Sequence, residues 1–275
     1  MVLESLINPL RAEKKPWEMF VIGAVYASVA AFLSLWIFSQ YASLVMVFLT
    51  MLASVPIMYA TFKYEEKKDK TVSKEYKLLK EHSKALTFMM LYFLGMTVAF
   101  TLWYVFAPQS MAESLFRVQT QTILDINNRI TGDAAAQNAD IFFMIFLNNL
   151  KVLIFCILFA FIYGVGAVFI LTWNATVIST AIGNFIRSRL AESSNYFNIT
   201  SLGILRYLLH GIPEILAYFI AGLAGSIISV AVINHDFKGK QFQKILIDSS
   251  DLLLISIGVL FVAAVIEVFV TPILI

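Results

Sequence analysis

From Leu205 to Val230 the chain reads LRYLLHGIPEILAYFIAGLAGSIISV, an apolar run that nonetheless holds His210, Pro213 and Glu214. An imidazole and a carboxylate four residues apart lie on one face of a helix, where a proton can be held or passed. Pro213 has no N–H for the carbonyl of Leu209, so an acceptor is left open there and a bend is expected. Away from the ends of the apolar runs, the other charged and amide-bearing residues are few: Asn148, Asn149, Lys151, Asn174 and Glu267. A charged group at mid-bilayer costs roughly 2.5–3.5 kcal/mol on insertion scales, so each demands a reason. Three kinds of chemistry fit these residues. They are, in order of preference, a hydrogen-bonded network that fixes a helix bundle, a proton-relay or transport site, and a catalytic or metal centre. One imidazole and two carboxylates make a thin ligand set. His82 and His235 fall outside the apolar runs. There is no H-E-x-x-H, no G-x-S-x-G and no phosphate-binding loop. No catalytic residue, metal ligand or cofactor is assigned. The one cysteine, Cys156, cannot form a disulfide within the chain and reads as a small buried hydrophobe.

What must position these residues is a set of membrane helices. Of the 275 residues, 60% are hydrophobic and 14% charged, against about a quarter charged in soluble domains. The mean hydropathy is +0.81. Seven runs approach the roughly 20 apolar residues that a spanning helix needs: 17–38, 42–62, 85–106, 143–163, 167–186, 205–233 and 252–275. The expected fold is therefore an all-α polytopic transmembrane bundle of about seven spans. The first run is read as a retained helix rather than a signal peptide. The fourth and fifth runs, separated by Gly164–Gly166, are expected to form a tight hairpin. Two regions are drawn, 1–140 with three spans and 141–275 with four.

Fourteen of the twenty lysines and arginines lie before residue 16, between Lys63 and Lys84, or between Lys238 and Lys244. These three segments share one side of a seven-span bundle, so the N-terminus is expected in the cytoplasm and the C-terminus outside the cell membrane. With a 1.5 Å rise per residue, His210 and Glu214 would lie about 8 and 14 Å from the outer end. Asn149, Lys151 and Glu267 fall in the same layer, about 9–12 Å deep. The expectation is one buried network of Lys151, His210, Glu214 and Glu267, with Asn149 completing its hydrogen bonds and Asn174 among its polar members. Down the same helix Ala217, Ala221 and Gly225 form a small-residue seam for close packing, with Gly211 and Pro213 at the kink and Leu223 off the seam.

Two segments do not span. The stretch 63–84 reads as a solvated helix with Val72, Tyr76 and Leu79 on one face, or as a surface for anionic lipid headgroups. In 107–140, Ser110 and Glu113 match a capping box, and Phe116, Ile123, Ile126 and Ile130 recur at helical spacing. This reads as an amphipathic helix on the outer leaflet or on the bundle. Asn198, placed in an outer loop, fits a glycosylation sequon, as does Asn174, which is too deep to be modified.

In order along the chain come FLNNLKV at 146–152, GVG at 164–166, LTWNATVIST at 171–180, HGIPEILAYFIAGLAG at 210–225 and AAVIEVFVTP at 263–272. Together they resemble the stage II sporulation protein M family of integral membrane proteins. The resemblance covers about half the chain, from Phe143 onward, and places the family's typical polar marks on Asn149, Asn174, His210, Gly211, Glu214 and Glu267. The chain has Ala175 where the family usually has glycine. The resemblance implies a membrane scaffold, since the sporulating-bacterium member is regarded as holding peptidoglycan-degrading enzymes at the septum. The expected function is accordingly a non-enzymatic scaffold or assembly component, with a transporter or channel as the alternative. Expected partners are the lipid bilayer and either a second copy of the chain or other membrane proteins, with no nucleic acid.

Overall fold

The computed structural model describes residues 15–71, 75–132, 138–161, 166–192, 196–234 and 239–274. Every regular element among them is helical. In chain order they are α1 (Trp17–Ile37), a 3-10 turn (Ser39–Tyr41), α2 (Ala42–Thr71), α3 (Glu75–Phe106), α4 (Gln109–Gly132), α5 (Asn138–Ala160), α6 (Ala167–Glu192), α7 (Tyr196–Ile233) and α8 (Lys240–Val265). A π-helical turn (Ile266–Val270) and a short α9 (Thr271–Leu274) close the chain. All the long helices but α4 are long and apolar enough to cross a bilayer.

The helices overrun the apolar runs that announce them. Hydropathy marks where lipid begins and ends, whereas a helix continues as long as its backbone bonds and its residues favour it. Thus α2 runs on through Lys63–Thr71, and α3 starts ten residues before its apolar run, at Glu75. The stretch 63–84 is therefore two helix extensions rather than one solvated helix. Its buried face is also different from the expected one. Tyr76 is 81% exposed and Leu79 37%, while Glu65, Asp69, Leu78 and His82 are buried; Val72 lies outside the described residues. The charges turn inward because three helices meet there, as the next subsection shows.

The first helix inverts the pattern of a soluble one. Val21, Val25, Val29, Phe32 and Trp36 face outward, and Gly23, Ala27, Ala31 and Ser34 face α3. In lipid the bulky side chains lose nothing by staying outside, and small ones let backbones approach. A Cβ on Gly23 would overlap the carbonyl oxygen of Tyr92, and one on Gly95 that of Phe20. At the centre of the bundle the middle of α7 is enclosed on all sides, with Ile215 and every residue from Ala217 to Ile227 buried. Leu223 is as buried as Ala221, so the seam is not one face but the whole circumference. Gly225 does meet Ala160 and Ile157 of α5. At Gly211 a Cβ would meet nothing within 4 Å, so no close approach explains that glycine. The helix continues unbroken through Pro213. Asn198 lies in the first turn of α7, not in a loop.

The segment after α3 packs on the bundle. Its helix begins at Gln109, where the Pro108 carbonyl accepts from Met111 and Ala112. Ser110 therefore sits inside the first turn and makes no capping box; its carbonyl accepts from Ser114 instead. At Phe116 the backbone leaves helical geometry (φ −120°, ψ 15°), and the N–H of Val118 donates to Ser43 Oγ of α2. The buried Gln119 then bridges two helices. Its Oε1 accepts from Ser43 at 2.6 Å, and its Nε2 donates to Thr176 Oγ1 of α6 at 3.2 Å. The side chains of Ile126 and Ile130 lie outside the described residues, as do residues 162–165, where the tight hairpin is expected. Gln119→Leu should lower stability in detergent by about 1–3 kcal/mol, read as a thermal-shift midpoint. Gln121→Leu, on the exposed side, should leave the midpoint unchanged.

Candidate functional site

Two polar clusters stand out, one along α7 and one at the lysine-rich end of the bundle. In the first, His210, Glu214 and Tyr218 follow one another at spacing four, which stacks them on one face. Tyr218, fully buried, donates from its hydroxyl to Glu214 Oε1 at 2.8 Å. Glu267 arrives from the π-helical turn, with Oε1 3.9 Å from His210 Nε2. That is ion-pair range and too long for a direct hydrogen bond. The side chains of His210 and Glu267 keep 16% and 30% of their exposure, so the cluster grades from a dry end at Tyr218 to a wetter one. Thr271 closes the π turn, its backbone N–H and its Oγ1 both donating to the Ile266 carbonyl, the hydroxyl at 3.1 Å, and Pro272 beyond it has no N–H to donate back. Such turns re-aim a side chain, here Glu267, and occur often at functional sites.

The remaining expected members stand apart. Lys151 is exposed on α5 and makes no ion pair among the described residues. Asn149 is buried, but no hydrogen bond joins it to His210, Glu214 or Glu267 among the described residues. Asn174 donates to the Ile170 carbonyl on its own helix at 2.8 Å, a bond that satisfies it without the cluster. The structure thus brings together His210, Glu214 and Glu267, adds Tyr218, and leaves Lys151 and Asn174 outside. Tyr218 was within reach of the spacing rule that found Glu214, one step further along.

The second cluster is one that hydropathy and motif reading miss. Where α2, α3 and α8 meet, His82 Nδ1 lies 2.7 Å from Glu65 Oε2 and His82 Nε2 lies 3.1 Å from Asp69 Oδ1. Each ring nitrogen thus faces a carboxyl group, an arrangement that favours the imidazolium form of the ring. Lys68 donates to Glu65 Oε1 at 2.8 Å and lies 4.5 Å over the Tyr64 ring. From α8, Lys244 Nζ donates to the backbone carbonyl of Asp69 at 2.7 Å. Glu65, Asp69, His82 and Lys68 together are neutral, which is how four buried ionisable groups share one site. The opposed ring nitrogens face different carboxylates, so these groups clasp helices rather than converge on an ion. Among the described residues no group of His, Cys, Asp and Glu is arranged to hold a metal.

Two clefts lie at the two ends of the bundle. One, small, is lined by His82, Asp248, Asp251 and neighbouring leucines. The other is bounded by the α1–α2 turn and α4. Neither is lined by His210, Glu214 or Glu267.

Comparison with known protein families matches residues 85–272 to Stage II sporulation protein M. The match begins in α3, so it takes in α4 as well as the motif-bearing half. No curated protein and no solved structure matches the chain.

Proposed function

The chain belongs to the stage II sporulation protein M family of multi-pass membrane proteins, and from that premise we propose a non-enzymatic membrane scaffold or assembly component. The observation that carries this reading is the enclosure of α7. From Ala217 to Ile227 it is packed on all sides, and bulky apolar side chains are exposed along the flanks of α1, α2, α5 and α8. A sealed core with apolar flanks suits a protein that holds others in the bilayer. In this reading, which follows the lysine distribution, the lysine-rich end with the His82 cluster faces the cytoplasm and the C-terminus lies outside.

The runner-up is a transporter in which His210, Glu214 and Glu267 pass protons. The partial exposure of His210 and Glu267 favours it. The two readings part in reconstituted vesicles carrying an internal pH-sensitive dye. For a scaffold, an imposed pH gradient should decay no faster than in empty vesicles. Glu214→Gln should keep near-native stability, because the amide oxygen still accepts from Tyr218. Glu214→Leu should lose about 1–3 kcal/mol by stranding that hydroxyl. A protein-dependent proton flux that Glu214→Gln and Glu267→Gln both abolish would overturn the scaffold reading in favour of transport.

A further inference from the structure

At the end of the bundle opposite the lysine-rich segments, the second cleft opens between the turn joining α1 to α2 and the first turns of α4. Its volume is about 490 Å³, and its walls are Ser39, Gln40, Ser110, Glu113, Ser114 and Arg117. That volume lies within the range of small-molecule sites. Its charges are arranged in an unusual way. Glu113 and Arg117 are four apart on one helix, in the order that favours a direct pair, yet they do not pair. Glu113 accepts from Gln109 Nε2 at 2.9 Å, and the Arg117 guanidinium reaches across to the Gln40 carbonyl at 3.2 Å. These are the polar contacts of both side chains among the described residues. One carboxylate oxygen and most of five N–H donors are therefore left over, with three serine hydroxyls nearby.

A separated anion and cation across one open cleft match a zwitterion with its charges a few bonds apart. The guanidinium fork suits a phosphate, and the carboxylate suits an ammonium that can donate to it. The surroundings decide where such a molecule comes from. Trp36, Phe38 and Tyr41, all at least 46% exposed, and Met111, 44% exposed, flank the cleft. Exposed Trp and Tyr beside a spanning helix end mark the headgroup level of a bilayer. We propose that this cleft binds the headgroup of a phospholipid bearing a primary amine, a phosphoethanolamine lipid, with phosphate on Arg117 and ammonium on Glu113. The site would tie α4 to the α1–α2 turn through a lipid of the surrounding leaflet, and it stands independently of the scaffold reading.

The test uses the full chain, delipidated in mild detergent and titrated with dioleoyl phosphatidylethanolamine, phosphatidylcholine or phosphatidylglycerol, with bound lipid counted by native mass spectrometry. One ethanolamine lipid should be retained about tenfold more tightly than either of the others. Glu113→Gln should erase the preference for ethanolamine over choline while leaving phosphate binding. Arg117→Gln should weaken all phospholipid retention by about tenfold. Because Arg117 also holds Gln40, Arg117→Lys serves as the folded control, keeping charge but losing the fork. Equal retention of the three lipids, or ethanolamine preference unchanged in Glu113→Gln, would overturn the proposal. Displacement of the lipid by millimolar free phosphoethanolamine, with no lipid preference, would assign the cleft to a soluble ligand and overturn it equally.

Discussion

Gly95→Leu is expected to give almost no folded protein in detergent, whereas Gly258→Leu should behave as wild type. The two sites differ in what a side chain would meet. At Gly95 a Cβ would overlap the carbonyl oxygen of Phe20, and the reciprocal overlap occurs between Gly23 and the carbonyl of Tyr92. Both obstacles are backbone, so no rotamer change relieves them. The helices α1 and α3 would have to separate along their whole contact. That strips packing from Met19, Ala27, Ala31, Tyr92 and Met96, all buried there. Overpacking a core costs about 1–3 kcal/mol when side chains can yield, and more when they cannot. Inside lipid no hydrophobic gain draws the separated helices back together. Gly258 has nothing within 4 Å and faces outward, so a leucine there meets only lipid. The readout is the fraction eluting as a monodisperse peak, with the melting midpoint of whatever remains. Gly95→Ala should fall between the two. Native elution and melting for Gly95→Leu would show that the two helices do not approach as closely as this geometry requires.

That contact is open to sequence reading. Gly23, Ala27 and Ala31 recur at spacing four, as do Gly95 and Ala99, the same pattern that marks Ala217, Ala221 and Gly225. The seven spans are legible for a plain reason: each needs about 20 apolar residues, and runs of that length are rare outside membranes. Their ends are not, because lysines and glutamates continue a helix as readily as leucine does. The α7 cluster is legible in depth but not in azimuth. Rise per residue places Asn149 and Lys151 in the same layer as His210 and Glu267. Residues two apart, however, point to nearly opposite sides of a helix. Asn149 turns inward and Lys151 outward, as the structure has it. The Gln119 bridge and the His82 clasp are out of reach altogether. A glutamine in an amphipathic segment and a histidine in a charged run look solvated until the fold supplies α6 or α2 beside them.

The clasp sets up the second large effect. Glu65→Leu is expected to destabilise the protein by about 3–5 kcal/mol, the usual consequence of leaving a buried charge without its partner. Glu65 is fully buried and serves two cations at once, the His82 ring and the Lys68 ammonium. Once it is gone, Asp69 still faces His82 Nε2, but the Nδ1 hydrogen points at a leucine. The ring must either lose its proton or admit water, and both loosen the meeting of α2, α3 and α8. Lys68 fares better, because Glu81 lies 3.6 Å away at the edge of solvent and can follow it outward. The double variant Glu65→Leu with His82→Leu removes the anion and the stranded cation together and fills the space with apolar volume. It should recover more than half of the single variant's loss, so the two substitutions will be far from additive. The site is dry, so the deficit of Glu65→Leu should barely change between low and high salt, unlike that of a surface pair such as Lys84 with Glu81. Midpoints of thermal unfolding for the wild type, both single variants and the double variant complete the cycle. If the double variant loses the sum of the singles, His82 and Glu65 are not coupled and the imidazolium clasp is wrong. If it recovers, this end of the bundle is held by a balance of buried charge, and the helices that carry it are fixed in register before any partner arrives.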